Sequence, residues 1–385
     1  MIDMILCGAD QLGENKRLFD GARTALVTTP TGRLGNGSST IDELRKVSDL
    51  CALFGPEHGV RGSMQDAIPI ADARDDKTGL PVYSLYGKDR RRMTEEMFDT
   101  FDILVYDIQD VGSRYYTFIS TLLCLIEDCG RHGKKLVVLD RPDPLGGELI
   151  EGNILKDCET SFVGCYSLPN RYGMTAGEFA DMANKEHAFG CDLTVIPCRG
   201  WKRYMLFPES GTAWIMPSPN IPNFETALLY VGACLTEGTN LSEGRGTANP
   251  FQLIGAPYID DPEKLCRIFN EKREPGIFIT PYYFTPMSSK HSGELCGGVH
   301  LHITDAKRIR PLNSFVRLLS VIRDLWPDDF AFLPPVFDNG RPFIRMLTGL
   351  DDFEDKDWTA DHVLEHMDQG HDEFYRRRKE YEIYD

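Results

Sequence analysis

The sequence has no run of about 18 or more apolar residues, so no segment reads as a membrane-spanning helix. Its first ten residues, Met1 to Asp10, lack both a basic stretch and a long apolar stretch and do not read as a secretory signal. Basic charge is in deficit. Against 59 Asp and Glu there are only 42 Lys and Arg, and the net charge of −17 repels nucleic-acid phosphates and anionic membranes. Neither is expected as a partner. A small anionic ligand stays open, because a local arginine pocket overrides the global field. No CxxC pair occurs among the 11 cysteines, an odd and scattered set that fits reduced thiols in a cytoplasm better than a disulfide framework. The expected location is therefore cytoplasmic, although an exported chain whose signal has been removed would look the same.

Several catalytic signatures are also missing. There is no GxSxG elbow for a serine hydrolase, no GxxxxGK[ST] loop and no GxGxxG after a strand. No His and carboxylate set with convincing ligand spacing accompanies the Asp107-Ile-Gln-Asp110 segment. Neither a metal nor a nucleotide cofactor is expected.

What is present is an alternation of apolar strands and helical segments. A chain of 385 residues exceeds the usual size of one hydrophobic core, so two domains are expected. Short apolar runs at Ala25–Thr28, Leu50–Phe54, Ile103–Tyr106, Lys135–Leu139 and Leu193–Ile196 read as buried strands. Helices are expected to open at Ser39 or Thr40, over Tyr116 to Cys129, and at Thr175, where Glu178 completes capping-box spacing. Such alternation predicts an α/β fold, a Rossmann-like parallel sheet flanked by helices, over residues 1–225. The turn-rich stretch Met216 to Asn223 is the candidate junction. Residues 226–385 are expected to form a smaller mixed α/β domain, with a helix near Thr226 to Leu235, a strand at Val299–Ile303, a helix over Leu312 to Trp326 and a helical tail from His362 to Arg378.

Polar residues cluster where these strands end, which is where open parallel sheets bind ligands. Glu57 lies in Gly55-Pro-Glu-His-Gly59, between turn formers after the second strand. A carboxyl group partly buried there has the raised pKa a general acid needs, although an exposed turn with a capping Glu has the same sequence. Asp107 and Asp110, with Arg114 close by, suit either a structural ion-pair cluster or a catalytic group with its positioning partner. The loop Glu237 to Gly246 sets Glu237, Asn240, Glu243 and Arg245 among three glycines that permit close backbone approach to a ligand. Tyr115, Tyr116 and Trp201 are candidate stacking partners or core aromatics.

Taken together, the segments Gly55 to Gly62, Leu80 to Gly87, Asp107 to Thr117, Leu139 to Gly147, Ser218 to Pro222, Glu237 to Gly246 and Gly293 to Gly298 resemble the NamZ-type exo-β-N-acetylmuramidases, glycoside hydrolases formerly described as a YbbC-like domain of unknown function. The resemblance implies a Rossmann-like domain and a smaller one, with the site in a cleft between them, and no nucleotide. It implies release of non-reducing-end N-acetylmuramic acid from peptidoglycan fragments. Glu57 matches the glutamate proposed as catalytic in the family, with Asp107 and Glu243 as candidate helpers. Substrate contacts are expected from His58, Arg61, Asp110, Arg114, Tyr115, Asn220, Glu237, Asn240 and Arg245. Arginine's fork suits the lactyl carboxylate that marks muramic acid, so Arg61, Arg114 and Arg245 are the expected cations. The competing classes are a non-catalytic module that binds muropeptides or another anionic sugar and, more weakly supported, an esterase or amidase on cell-wall fragments.

Overall fold

The computed structural model describes residues 4–56, 59–61, 73–85, 92–335 and 340–385. In chain order the first unit contains β1 (Arg23–Thr28), α1 (Thr40–Val47), β2 (Asp49–Gly55), β3 (Ala73–Arg74), β4 (Pro81–Ser84), α2 (Glu95–Phe98), β5 (Ile103–Asp107), α3 (Phe118–His132), β6 (Lys135–Leu139), α4 (Ala176–Glu186) and β7 (Asp192–Ile196). The second contains α5 (Phe224–Ala233), β8 (Leu253–Ala256), α6 (Pro262–Glu271), β9 (Ile277–Phe284), β10 (Cys296–Ile303), α7 (Pro311–Leu325), α8 (Phe343–Thr348), α9 (Ala360–Met367) and α10 (His371–Arg378).

The first sheet has the order β3-β4-β2-β1-β5-β6-β7, and all of its pairings are parallel except that of the short edge strand β3 with β4. The central strands are buried on both faces. Leu26, Val27, Leu53, Phe54, Leu104, Val105, Val137 and Val138 have no measurable exposure, which is why they read as continuous apolar runs rather than alternating ones. The helices start where the sequence places its caps. The Ser39 hydroxyl accepts from the Ile41 N–H, and Thr175 and Glu178 cap α4 reciprocally. From β1 the chain adds β2 and β4 on one side and later β5, β6 and β7 on the other. The crevice at the carboxyl ends of β1 and β5, where Thr28 lies opposite Asp107, is thus the topological switch point.

The second unit packs α5, α6 and α7 on an antiparallel sheet of order β8-β10-β9. Pro281 interrupts β9, which argues against a strand in sequence, yet it sits opposite Val299 on an edge strand, where a missing N–H is tolerated. The tail expected as one helix is two, because Gly370 takes a left-handed conformation (φ 83°) between α9 and α10. That bend returns the chain to the first unit. Phe374 joins the first unit's core, Arg378 donates to the Gly173 carbonyl at 3.1 Å, and the Tyr384 hydroxyl bonds to Asp140. The last residues of the expected 226–385 domain therefore pack on the parallel-sheet unit.

The two units are also tied by buried polar contacts. Arg114 is fully buried, and its guanidinium donates to the carbonyls of Asn153 (2.9 Å) and Leu168 (2.6 Å) on one side and of Leu347 and Thr348 (both 2.9 Å) on the other. The Tyr115 hydroxyl donates to the Val231 carbonyl in α5.

Candidate active site

At the switch point the chain leaves β5 at Asp107 and β6 at Leu139, and the next residues face one another. Arg141 holds the fully buried Asp107 carboxylate in a fork, Nε to Oδ1 at 2.6 Å and Nη2 to Oδ2 at 3.0 Å, and Nη2 also donates to the Arg33 carbonyl at 3.0 Å. Burial works against the charged guanidinium, but the adjoining Asp107 outweighs it and raises the Arg141 pKa above its ordinary value. Gln109 fixes the same corner. Its amide donates to the carbonyls of Asp110 and Pro142, both at 2.9 Å, and its N–H donates to the Thr31 hydroxyl at 3.0 Å.

Arg141 and Gln109 form the floor of an open cleft whose walls include Cys7, Thr31, Arg33, Phe207 and Trp214. Phe207 and Trp214 meet edge to face at 4.8 Å and pack against the core of the second unit. The cleft thus opens between the sheet's carboxyl edge and a segment supported by the second unit, although its lining residues all precede 225. Its lining combines apolar and aromatic side chains with two arginines, a composition that suits an anionic sugar.

Behind Gln109 and Arg141 lies a narrow pocket with Asp110, Asp143 and Tyr172 in its wall. Desolvation raises the Asp110 pKa to about 6, opposed by hydrogen bonds from Tyr172 and the Gly112 and Val111 backbone. Desolvation likewise raises Asp143 to about 7, with Asp110 adding to the effect. Asp110 Oδ1 and Asp143 Oδ2 are buried with no hydrogen-bond partner among the described residues. Two carboxyl groups able to exchange protons near neutral pH therefore stand directly behind the cleft floor.

The Glu57 and His58 positions lie outside the described residues. Strand β2, which precedes them in sequence, ends at the same sheet edge. The Gly59 N–H donates to the Pro56 carbonyl at 3.0 Å, and a Cβ on Gly55 would stand 2.9 Å from the Val60 nitrogen, so Gly55 is needed for the turn to fold back.

The structure divides the remaining expected residues into groups. Asp107 lies buried beneath the cleft floor on Arg141, and Asp110 lines the smaller pocket behind it, so neither lines the cleft itself. Arg114 and Tyr115 are spent on the junction between the units, and burial draws the Arg114 pKa down to about 10. Arg61 pairs with Asp75 through Nε and, at 2.9 Å, through Nη2. Glu237, Glu243 and Arg245 form their own cluster, and none of them lines the cleft. Arg245 Nη2 lies 2.6 Å from Glu237, and its Nε lies 3.0 Å from Glu243. Lys290 sits 3.1 Å from Glu243 Oε2, at ion-pair distance but without hydrogen-bond alignment. Burial opposes the charge on Glu243, but Lys290 and Arg245 outweigh it and lower the pKa, whereas burial raises that of Glu237. Asn240 cross-links backbone, donating to the Asp329 carbonyl (2.7 Å) and accepting from the Ala331 N–H (3.1 Å). Asn220 is half-buried in the junction loop. Trp201 packs edge to face on Tyr384 in a small core away from the cleft. Arg33, Arg141, Asp143 and Trp214 are site residues that sequence reasoning missed. The Leu139 to Gly147 motif was the available signal for Arg141 and Asp143.

Comparison with known proteins places this geometry in a family. Residues 24–225 match the model for the N-terminal domain of exo-β-N-acetylmuramidase NamZ, and residues 228–384 match the model for its C-terminal domain. A protein of Bacillus subtilis (strain 168), named peptidoglycan β-N-acetylmuramidase NamZ, is 42% identical over 97% of this chain and 89% of its own length. Two crystal structures of DUF1343 family proteins from Bacteroides fragilis have the same architecture. One has a TM-score of 0.91 at 34% identity and full coverage of both chains, the other 0.75 at 30% identity and 99% coverage of both. With both domain models matched in order along nearly the whole chain, this protein belongs to the exo-β-N-acetylmuramidase NamZ family.

Proposed function

We propose that this protein is an exo-acting glycoside hydrolase that releases N-acetylmuramic acid from the non-reducing end of peptidoglycan fragments. The observation that carries this reading is the switch-point cleft, whose lining includes Arg33, Arg141 and Trp214, in a chain 42% identical to a peptidoglycan β-N-acetylmuramidase. An aromatic wall suits a pyranose face, and an arginine suits the lactyl carboxylate.

In this mechanism Glu57 protonates the glycosidic oxygen, and the aglycone leaves as an alcohol. The substrate's own N-acetyl oxygen closes on the anomeric carbon, and water then opens the resulting ring. The Asp107–Arg141 pair acts as a positioning unit, since both Asp107 oxygens accept from Arg141. The arginines first expected at the lactyl group, Arg61, Arg114 and Arg245, are engaged by Asp75, by four carbonyls and by two glutamates, and Arg141 is held by Asp107, so that role passes to Arg33, which is exposed in the cleft lining. The reading includes a cytoplasmic site of action on disaccharides or muropeptides, supported by the scattered, odd-numbered cysteines. Release of free N-acetylmuramic acid from a chromogenic β-N-acetylmuramide, with the matching glucosaminide as control, tests it. Muramide-selective turnover is expected, and none by folded protein on this substrate or a natural disaccharide contradicts it.

A further inference from the structure

Within the second unit, His362 and His366 stand one turn apart on α9 and so share a face. That face meets the turn containing Asp352. The Asp352 Oδ1 atom lies 2.5 Å from His366 Nδ1 and 3.5 Å from His362 Nε2, and the three potential ligand atoms all lie within 4.8 Å of one another. The Asp352 side chain is only 4% exposed, and its partners among the described residues are these two imidazoles. A buried carboxylate ordinarily holds a cation or a set of donors. The neighbouring Arg345 does not serve it, being taken up by Glu159 at 2.6 Å and Glu354 at 3.2 Å.

Both supporting elements are fixed from behind. Phe353 and Trp358 are buried beside the turn and meet at 4.9 Å, and Val363, Leu364 and Met367 bury the neighbouring side of α9. Thr359 caps that helix, accepting from the His362 N–H. The donors are thus carried on a packed scaffold, as a preorganised metal site requires.

We propose that Asp352, His362 and His366 form a binding site for a borderline divalent cation of the zinc class, which clamps α9 to the preceding turn. Two imidazoles and one carboxylate are the ligand set such ions favour, and calcium or magnesium would require more oxygen donors. Ligands about 2.0–2.1 Å from a tetrahedral ion stand about 3.3 Å from each other. The Asp352–His362 separation already fits, and the Asp352–His366 contact must open by about 0.8 Å. His362 is 58% exposed, which gives an ion access and leaves a fourth position for water.

The test uses the untagged full chain, stripped with a chelator, then titrated calorimetrically with Zn²⁺ and followed by absorption with Co²⁺. One ion per chain is expected, with no thiolate charge-transfer band in the cobalt form. Because His362 is exposed, His362→Ala is expected to stay folded by circular dichroism and to weaken binding at least about tenfold. Added Zn²⁺ should raise the melting temperature of the wild type and not of that variant. Absence of saturable binding by the wild type overturns the proposal. So does binding by His362→Ala and His366→Ala as tight as that of the wild type, or a thiolate band that places the ion on a cysteine.

Discussion

Arg141 grips Asp107 through two hydrogen bonds, at 2.6 and 3.0 Å, across the carboxyl ends of neighbouring strands β5 and β6. The pair is almost wholly buried, with side-chain exposures of 7% and 0%. Planar, bidentate geometry sets the direction of the guanidinium as well as its charge, so a single contact at the sheet edge determines the shape of the cleft floor.

Removing one partner leaves the other charge buried and unpaired. Asp107→Ala is therefore expected to destabilise the fold by about 3–5 kcal/mol, read from urea denaturation. A loss below about 1 kcal/mol would mean that Arg141 finds another partner and that the fork does not organise the floor.

Much of this fold can be read in the sequence because local and global preferences agree. The apolar runs that become β1, β2, β5, β6 and β7 are continuous because both faces are covered, and Ser39, Thr175 and Glu178 announce their helices through hydrogen bonds made within three residues. Strand β9 is obscured by Pro281, whose tolerance depends on edge position, a property of the assembled sheet. The site divides in the same way. Asp107 and Asp110 follow a strand and are legible as edge residues. The Trp214 contribution depends on the 207–215 segment folding across to the sheet edge, and Arg114 looks like a ligand cation until its four carbonyl partners are brought together by distant segments.

Asp110 makes stability pH-dependent with a definite sign. Its folded-state pKa is raised to about 6, so its contribution is full below the ordinary carboxyl range and is lost as pH rises through about 6. Asp110→Asn keeps the acceptor for Tyr172 and Gly112 but removes the charge. Its melting temperature is expected to match the wild type at pH 4 and exceed it at pH 8, corresponding to about 3 kcal/mol. A variant less stable than the wild type at pH 8 would show that the ionised carboxylate is held favourably.

Arg33 and Arg245 are expected to respond differently to truncation. Arg33 is exposed on the cleft rim, so Arg33→Ala should change stability by no more than about 0.5 kcal/mol while raising KM for the muramide and not for the glucosaminide. Arg245→Ala uncouples Glu237 and Glu243 in a buried cluster and should cost stability, with equal loss of activity on both sugars. A muramide-selective loss in Arg245→Ala instead would return lactyl recognition to the Glu237 to Gly246 loop.

Trp214 is expected to act through binding. Trp214→Ala should raise KM about tenfold, equivalent to about 1.4 kcal/mol, with little change in kcat. A fall in kcat at constant KM would place Trp214 in transition-state stabilisation rather than in sugar docking.

The most direct test of the account is the turnover of a chromogenic β-N-acetylmuramide by Glu57→Gln beside the wild type, with substrate affinity measured on both. The account predicts that the variant binds the muramide as the wild type does and loses turnover by at least about 100-fold, the contribution of a positioned general acid. Turnover retained within a few fold would contradict it, and would move the acid from the Pro56–Gly59 turn to the Asp110 and Asp143 carboxyl groups behind the cleft floor.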